Sequence, residues 1–288
     1  MRARSCSMSR MNAALSADSS LTTDDGANLS LHVLGEGAPV VLVHGTGMGA
    51  RALWPLAQAL ANTNRVLLYD RRGWGTSTLG KSRDLSLARH ARDLQCVLST
   101  LDAPATVFGW SSGGLIALEA AALRGTAPRA LVVYEAPFGA SRDSTPGARV
   151  DFLAMLAWNG LRQPRRARRA FWDMVSRRAE GPTGFERLSP TRQSELLDEP
   201  GPLVAEALAG AGTPEALRAL GSELRVRLLV GTASTASAHR CGERLQALLP
   251  HATRERVPDA DHLYPLTQPE DCAQRLLDSA ERSATQAH

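Results

Sequence analysis

Lysine is nearly missing from this chain: of 33 basic residues, Lys81 is the sole lysine, and arginine supplies the rest. Against 29 acidic residues the net charge is only +4 and is spread along the chain, which excludes the concentrated basic surface of a nucleic-acid-binding protein. Cysteine is scarce too. Cys6, Cys96, Cys241 and Cys272 stand far apart with no C-x-x-C pair. That spacing excludes a dense disulfide framework and reads as reduced thiols in a cytoplasmic protein. Long apolar runs are also lacking. The opening stretch Met1–Ser20 carries Arg2, Arg4 and Arg10 but no apolar segment of export-signal length, and nothing later approaches a membrane span. There is no internal repeat.

What remains is the composition of a globular enzyme-sized protein: 288 residues, 43% of them apolar, enough for a sizeable core in one large α/β domain or two smaller ones. Short β-type runs alternate with longer helical ones. Strands are expected at Pro39–Val43, Arg65–Tyr69, Ala105–Phe108, Ala130–Tyr134, Val226–Val230 and Glu255–Val257, with an antiparallel edge around Ala27–Val33. Helices are expected at Ala50–Ala61, Ser86–Leu101, Ser111–Arg124, Ala236–Leu249 and Pro269–Ser283. This order predicts a mostly parallel, doubly wound sheet covered on both faces. Residues 1–20 are expected to form a disordered tail, with Met11 a second candidate start; residues 21–136 and 221–288 form the α/β core. Between them, residues 137–220 look helical and carry no strand, so we expect an inserted cap over the carboxyl ends of the strands, where open α/β sheets bind ligands.

The chemistry points to one turn. Gly109-Trp110-Ser111-Ser112-Gly113 follows an apolar run and precedes a strong helix former, Leu115–Arg124, which is the G-x-S-x-G pattern of a nucleophile elbow. Such a strained bend needs almost no side chain two residues before and after the serine, and both positions are glycine. Ser111 is therefore the candidate nucleophile. A serine hydroxyl needs a base, and of seven histidines His262 is best placed, in the loop after the last expected strand, at the edge the elbow occupies. His44 ends an earlier strand and is expected to hold the loop Gly45-Thr46-Gly47. An oxyanion needs two converging N–H groups, for which Ser112 and Thr46 are the candidates. Trp110, beside the nucleophile, is the aromatic expected to contact substrate.

Four segments together, Val41–Gly47, Tyr69–Ser77, Gly109–Gly114 and Asp261-His262, resemble successive landmarks of the α/β-hydrolase superfamily. The resemblance spans residues 25 to 283, apart from the insertion. It implies the α/β-hydrolase fold with an inserted helical cap. It implies an acyl-enzyme route for an ester, thioester, lactone or activated C–C bond, since a serine stands where dehalogenases and epoxide hydrolases of this fold carry aspartate. Members usually hold a supporting acid after the strand that here is Val226–Val230, yet this chain reads Gly231-Thr232-Ala233-Ser234. A subset of the superfamily places the acid one strand earlier, which nominates Glu135; Asp259, Asp261 and a Ser–His pair without an acid are the alternatives. The expected partner is a small-molecule substrate, with no nucleic acid, membrane, metal or organic cofactor. Non-hydrolytic chemistry (acyl transfer, cyclisation, lysis), perhydrolysis and a catalytically silent binding module stay open on the same fold.

Two further patterns compete for attention. Gly75–Ser82 fits G-x-x-x-x-G-K-[ST], the phosphate-binding loop, but five residues separate it from its strand and the hydrolase landmark already accounts for the segment. The arginines from Arg162 to Arg178 interleave with Phe171, Trp172 and Met174. We read this run as a solvated helix face around an apolar stripe, the alternative being an arginine that selects a carboxylated substrate.

Overall fold

The computed structural model describes residues 18–209 and 214–281. Its elements, in chain order, are β1 (Asp18–Thr22), β2 (Asn28–Leu34), β3 (Ala38–Val43), α1 (Trp54–Leu60), β4 (Asn64–Tyr69), α2 (Leu87–Leu98), β5 (Thr106–Trp110), α3 (Ser112–Ala122) and β6 (Ala130–Tyr134). Then come α4 (Pro146–Gly160), α5 (Pro164–Val175), α6 (Pro190–Asp198), α7 (Leu203–Leu208) and α8 (Pro214–Arg218). The chain closes with β7 (Arg225–Gly231), α9 (Ala236–Leu248), β8 (Thr253–Val257), α10 (Tyr264–Thr267) and α11 (Pro269–Glu281). The eight strands form one sheet in the order β1-β2-β4-β3-β5-β6-β7-β8. β1 and β2 pair antiparallel, as does β2 with β4; all other pairs are parallel.

Period-two alternation divides the strand side chains between two cores. Val40, Leu42, Val66, Leu68, Phe108, Trp110, Val132 and Tyr134 face one way, toward α1 and α11. Val41, Val43, Leu67, Tyr69, Val107, Leu131 and Val133 face the other, toward α2, α3 and α9. Helix starts follow local chemistry. Thr145 and Ser189 accept the N–H groups of Ala148 and Arg192 at 3.2 and 3.3 Å, and each is followed by a proline whose missing N–H costs the first turn nothing. Register aligns the strand ends: Val43 pairs with Gly109, Trp110 with Tyr134, Tyr134 with Leu229, and Gly231 with Val257. The residues that follow these positions therefore meet along one edge.

Three sequence expectations change. The tail was expected to reach residue 20; residues 1–17 lie outside the described residues, but Asp18–Thr22 is a strand, its polar sequence ordered by pairing with β2 and by burial of Leu21. Strand β5 runs two residues beyond Phe108, because Gly109 and Trp110 pair with Val133 and Tyr134 before the chain turns. The expected cap is also shorter. Leu217 and Leu220, of α8 and the turn after it, pack in the same core as α3 and α9, so α4 to α7 form the insertion at the sheet edge and α8 belongs to the α/β body. Among the described residues no helix is long and apolar enough to cross a membrane.

The insertion shares a core with the sheet. Met155, Phe171, Trp172, Phe185, Leu188, Leu196 and Leu203 belong to the same contiguous cluster as Trp110 and Tyr134, and Trp172 stacks on Phe185 at 6.1 Å. Within α5 the expected solvated face holds for Arg165 and Arg166, but Arg168 is buried, lying over Trp74 and donating to the Gly201 carbonyl at 3.2 Å. A shared core means shared cooperativity. Phe185→Ala, at a fully buried site of the insertion, is expected to lower global stability in urea by about 3–5 kcal/mol. An unchanged main transition with a separate early one would show that the insertion unfolds alone.

Candidate active site

Ser111 sits between β5 and α3 with φ 55° and ψ −127°, a conformation that a residue with a Cβ adopts only under constraint. The constraint is visible. Its N–H donates to the Tyr134 carbonyl at 2.8 Å, and its carbonyl accepts from Gly114 at 2.9 Å. A Cβ on Gly113 would lie 2.2 Å from the Val43 carbonyl oxygen, and one on Gly109 would lie 2.5 Å from the Gly113 carbonyl oxygen, so both glycines are required by close backbone approach. The loop after β3 presses on the same turn: the Cβ position of Gly45 is 3.0 Å from the Ser111 Cβ and 3.6 Å from its Oγ. Next along that loop, Thr46 Oγ1 lies 2.9 Å from Ser112 Oγ. Neither the Thr46 nor the Ser112 N–H donates to another described residue. For Ser112 this follows from its place as first residue of α3, where no preceding turn supplies a carbonyl.

Glu135, the residue after β6, also has a positive φ, 46°, and its N–H is tied to the Leu229 carbonyl at 3.0 Å. This turn sends its carboxylate across the edge. Oε2 lies 2.9 Å from His262 Nδ1, while Oε1 accepts from the Gly231 N–H at 2.9 Å and from the Ser234 hydroxyl at 2.5 Å. An anion so placed fixes the imidazole tautomer, with the proton on Nδ1 and the lone pair of Nε2 left as the basic site. The other carboxylates do not face the ring. Asp261 pairs with Arg178 and accepts from the Leu263 N–H at 2.9 Å, and Asp259 is exposed. Ser234, which stands where an acid was missing in the sequence, instead donates to the acid supplied by β6. Sequence pattern alone gave no hint of that hydrogen bond.

Trp110 departs from expectation. It is fully buried, and its indole N–H donates to the His262 carbonyl at 2.9 Å, so it anchors the histidine loop and presents no surface to a ligand. Tyr134 does the same next door, donating to the Asp261 carbonyl at 2.6 Å. Over the loop after β3, a Cβ on Gly47 would meet the Phe171 ring at 2.6 Å, which places α5 directly above Thr46-Gly47. His44 holds this loop as expected: Nε2 accepts from the Arg71 N–H at 3.0 Å, and Nδ1 donates to the Gly45 carbonyl at 2.8 Å.

Beneath the loop lies a polar cluster that sequence reasoning missed. Glu206 of α7 accepts from Arg71 at 2.8 Å, Thr46 Oγ1 at 2.9 Å and Trp74 Nε1 at 2.7 Å, with His90 Nε2 at 3.0 Å. A lone glutamate in a helical stretch carries no signal of this, because its partners come from three other segments: the loop after β3, the loop after β4 and α2. The phosphate-loop pattern fails on the same kind of accounting. The N–H groups of Thr76, Ser77, Thr78 and Lys81 are spent on Asp70, Trp74, Asn28 and Asp25, and a Cβ on Gly80 would meet the Asp25 carboxylate at 2.9 Å. Amides already bonded, beside an anion, cannot cradle phosphate. Among the described residues no cluster of three or more His, Cys, Asp or Glu side chains could hold a metal ion.

A family model described as the alpha/beta hydrolase family matches residues 40–275. The chain is 29% identical over 246 residues to a pimeloyl-[acyl-carrier protein] methyl ester esterase of Serratia marcescens, covering 83% of this chain and 92% of that protein. Against the protein of the same name from Aeromonas salmonicida, identity is 34% over 121 residues, and the match spans about half of that relative, 46%. Among solved structures, an esterase from Exiguobacterium antarcticum has a TM-score of 0.74 at 19% identity, over 91% of this chain and 98% of that one, a likeness of fold.

The buried cluster is expected to make the protein acid-sensitive. Burial, aided by Arg71, holds His44 down at about 3 against an ordinary 6.5. Between those values the unfolded chain binds the extra proton, so stability falls as pH falls, by roughly 2–3 kcal/mol from pH 7.5 to pH 4.5. At Glu206 burial is outweighed by Arg71 and its other donors, which hold the carboxyl well below its usual range, so its contribution is lost only below about pH 4. Urea midpoints across that range check this; a flat profile from pH 7.5 to 4.5 contradicts it.

Proposed function

Since the chain belongs to the alpha/beta hydrolase family, we propose that it hydrolyses carboxylic esters of small molecules, with Ser111 as nucleophile, His262 as base and Glu135 as the supporting acid. The observation that carries this reading is the 2.9 Å contact between His262 Nδ1 and Glu135 Oε2, made at the edge where Ser111 occupies its strained turn. The esterase names of the Serratia and Aeromonas relatives support an ester as the bond attacked.

His262 Nε2 removes the Ser111 proton as Oγ adds to the ester carbonyl carbon. The carbonyl oxygen takes the negative charge and accepts the N–H groups of Thr46 and Ser112, which have no acceptor among the described residues and so are free to donate. Glu135 stabilises the imidazolium without taking its proton, and Ser234 and Gly231 keep the carboxylate ionised and oriented by donating to its far oxygen. His262 then gives the proton to the departing alcohol oxygen as the C–O bond breaks. Water repeats the sequence against the acyl-enzyme, releasing the acid and restoring Ser111. Helices α4 to α7 act as a cap, α5 resting on the loop that holds Thr46.

Steady-state kinetics on p-nitrophenyl and methyl esters of graded acyl length test the assignment. Ser111→Ala is expected to abolish turnover, and Glu135→Gln to lower kcat by about 10²–10⁴ with KM little changed, because the neutral amide can neither fix the tautomer nor stabilise the cation. Hydrolysis in ¹⁸O-water is expected to place solvent oxygen in the acid product. Full activity in Ser111→Ala would reject the mechanism.

A further inference from the structure

We propose that Glu206 is a positioning residue for the oxyanion donors: from the insertion it fixes Thr46, and through Thr46 it fixes Ser112, so that both backbone N–H groups converge on the carbonyl Ser111 attacks. This rests on the ester-hydrolase reading above and adds a residue outside the three reacting side chains.

Proton bookkeeping gives the chain its direction. A carboxylate only accepts, so the Thr46 hydroxyl must donate to Glu206 Oε2, 2.9 Å away. That spends the one proton Thr46 Oγ1 carries. The 2.9 Å contact between Thr46 and Ser112 hydroxyls must then run from Ser112 to Thr46. The resulting order, Ser112 to Thr46 to Glu206, locks two side chains on two different elements: the first residue of α3 and the loop after β3. Those are the same two residues whose N–H groups lack acceptors among the described residues.

Glu206 is built to be immovable. Its side chain is 3% exposed, its Oε2 also takes Arg71 at 2.8 Å, and Trp74 and His90 approach Oε1 at 2.7 and 3.0 Å. Arg71 is itself buried and clamps His44 through its backbone N–H, so the loop is held from both sides. The ion pair with Arg71 balances the buried charge but leaves carboxylate lone pairs to fill, and Trp74 and Thr46 fill two of them. The added bond to Thr46 connects that fixed anion to the donor pair, and the Arg71 guanidinium offsets its negative charge so that the field at a developing oxyanion is not adverse. Since α7 belongs to the insertion, the seating of the insertion and the geometry of the donors are one constraint.

Thr46→Val removes the hydroxyl while Arg71, Trp74 and His90 still hold Glu206, and Ser112→Ala cuts the same chain at its other end. Each is measured for kcat and KM on a p-nitrophenyl ester and for Ki of a trifluoromethyl ketone that mimics the tetrahedral adduct, with fluorophosphonate labelling of the wild type as reference. Either variant is expected to lose about tenfold or more in kcat and in analogue affinity, with KM within about twofold, since the lost alignment matters only to the oxyanion. Thr46→Ser, which returns the hydroxyl, is expected to recover most of that loss. Unchanged kcat and analogue affinity in both variants, or a change confined to KM, would overturn the proposal while the ester-hydrolase reading stands. A wild type that neither turns over esters nor labels at Ser111 would sink both.

Discussion

The hydrogen bond between Glu135 and His262 is the contact on which the rest of the site turns, and it joins residues 127 positions apart. It exists because two backbone constraints meet. Glu135 takes a positive φ directly after β6, which turns its side chain along the sheet edge, and the histidine loop is pinned from below by Trp110 and Tyr134 through carbonyls of His262 and Asp261. Both bonds go to backbone carbonyls, and the Trp110 ring lies against the imidazole at 5.9 Å between centroids. Together they leave the imidazole one orientation, and the carboxylate leaves it one tautomer.

A second constraint comes from the insertion. Helices α4 to α7 do not sit on the sheet as a detachable lid; their aromatic residues share a core with Trp110 and Tyr134, and Glu206 reaches through to Arg71 and Thr46. Arg178, three residues beyond α5, pairs with Asp261, the residue before His262. The loop that carries Thr46 and the loop that carries His262 are thus each tied to the insertion by a charged contact. Burying such a charge is costly unless donors meet it, and Glu206 accepts from Arg71, Thr46 and Trp74, with His90 Nε2 3.0 Å from Oε1.

Much of this was legible in the residues, for reasons that can be named. The strands Val40–Val43 and Val107–Phe108 show as apolar runs, and the glycines at 109 and 113 mark the elbow because no other residue fits where backbones approach within 2.2 to 2.5 Å of a Cβ position. Glu135 was reachable by its place after a strand, and the contact at 2.9 Å makes it the carboxylate facing the ring. What sequence could not give were contacts between segments that share no spacing rule. Ser234 read as a gap, although it supplies a donor to Glu135, and Trp110 read as a ligand contact, although its neighbour in space is the His262 carbonyl. Glu206 had no local pattern at all. The first three residues of β1, Asp18 to Ser20, were taken for tail, since pairing with β2 orders them and their polar sequence gives no sign of it.

The most direct measurement of the central claim is a crystal structure of the protein reacted with a small alkyl fluorophosphonate. Phosphorus is expected on Ser111 Oγ, with the phosphoryl oxygen within about 3 Å of the N–H groups of Thr46 and Ser112 and His262 between the adduct and Glu135. Phosphorus on another nucleophile, or an imidazole turned to Asp261 with Glu135 left aside, would contradict it.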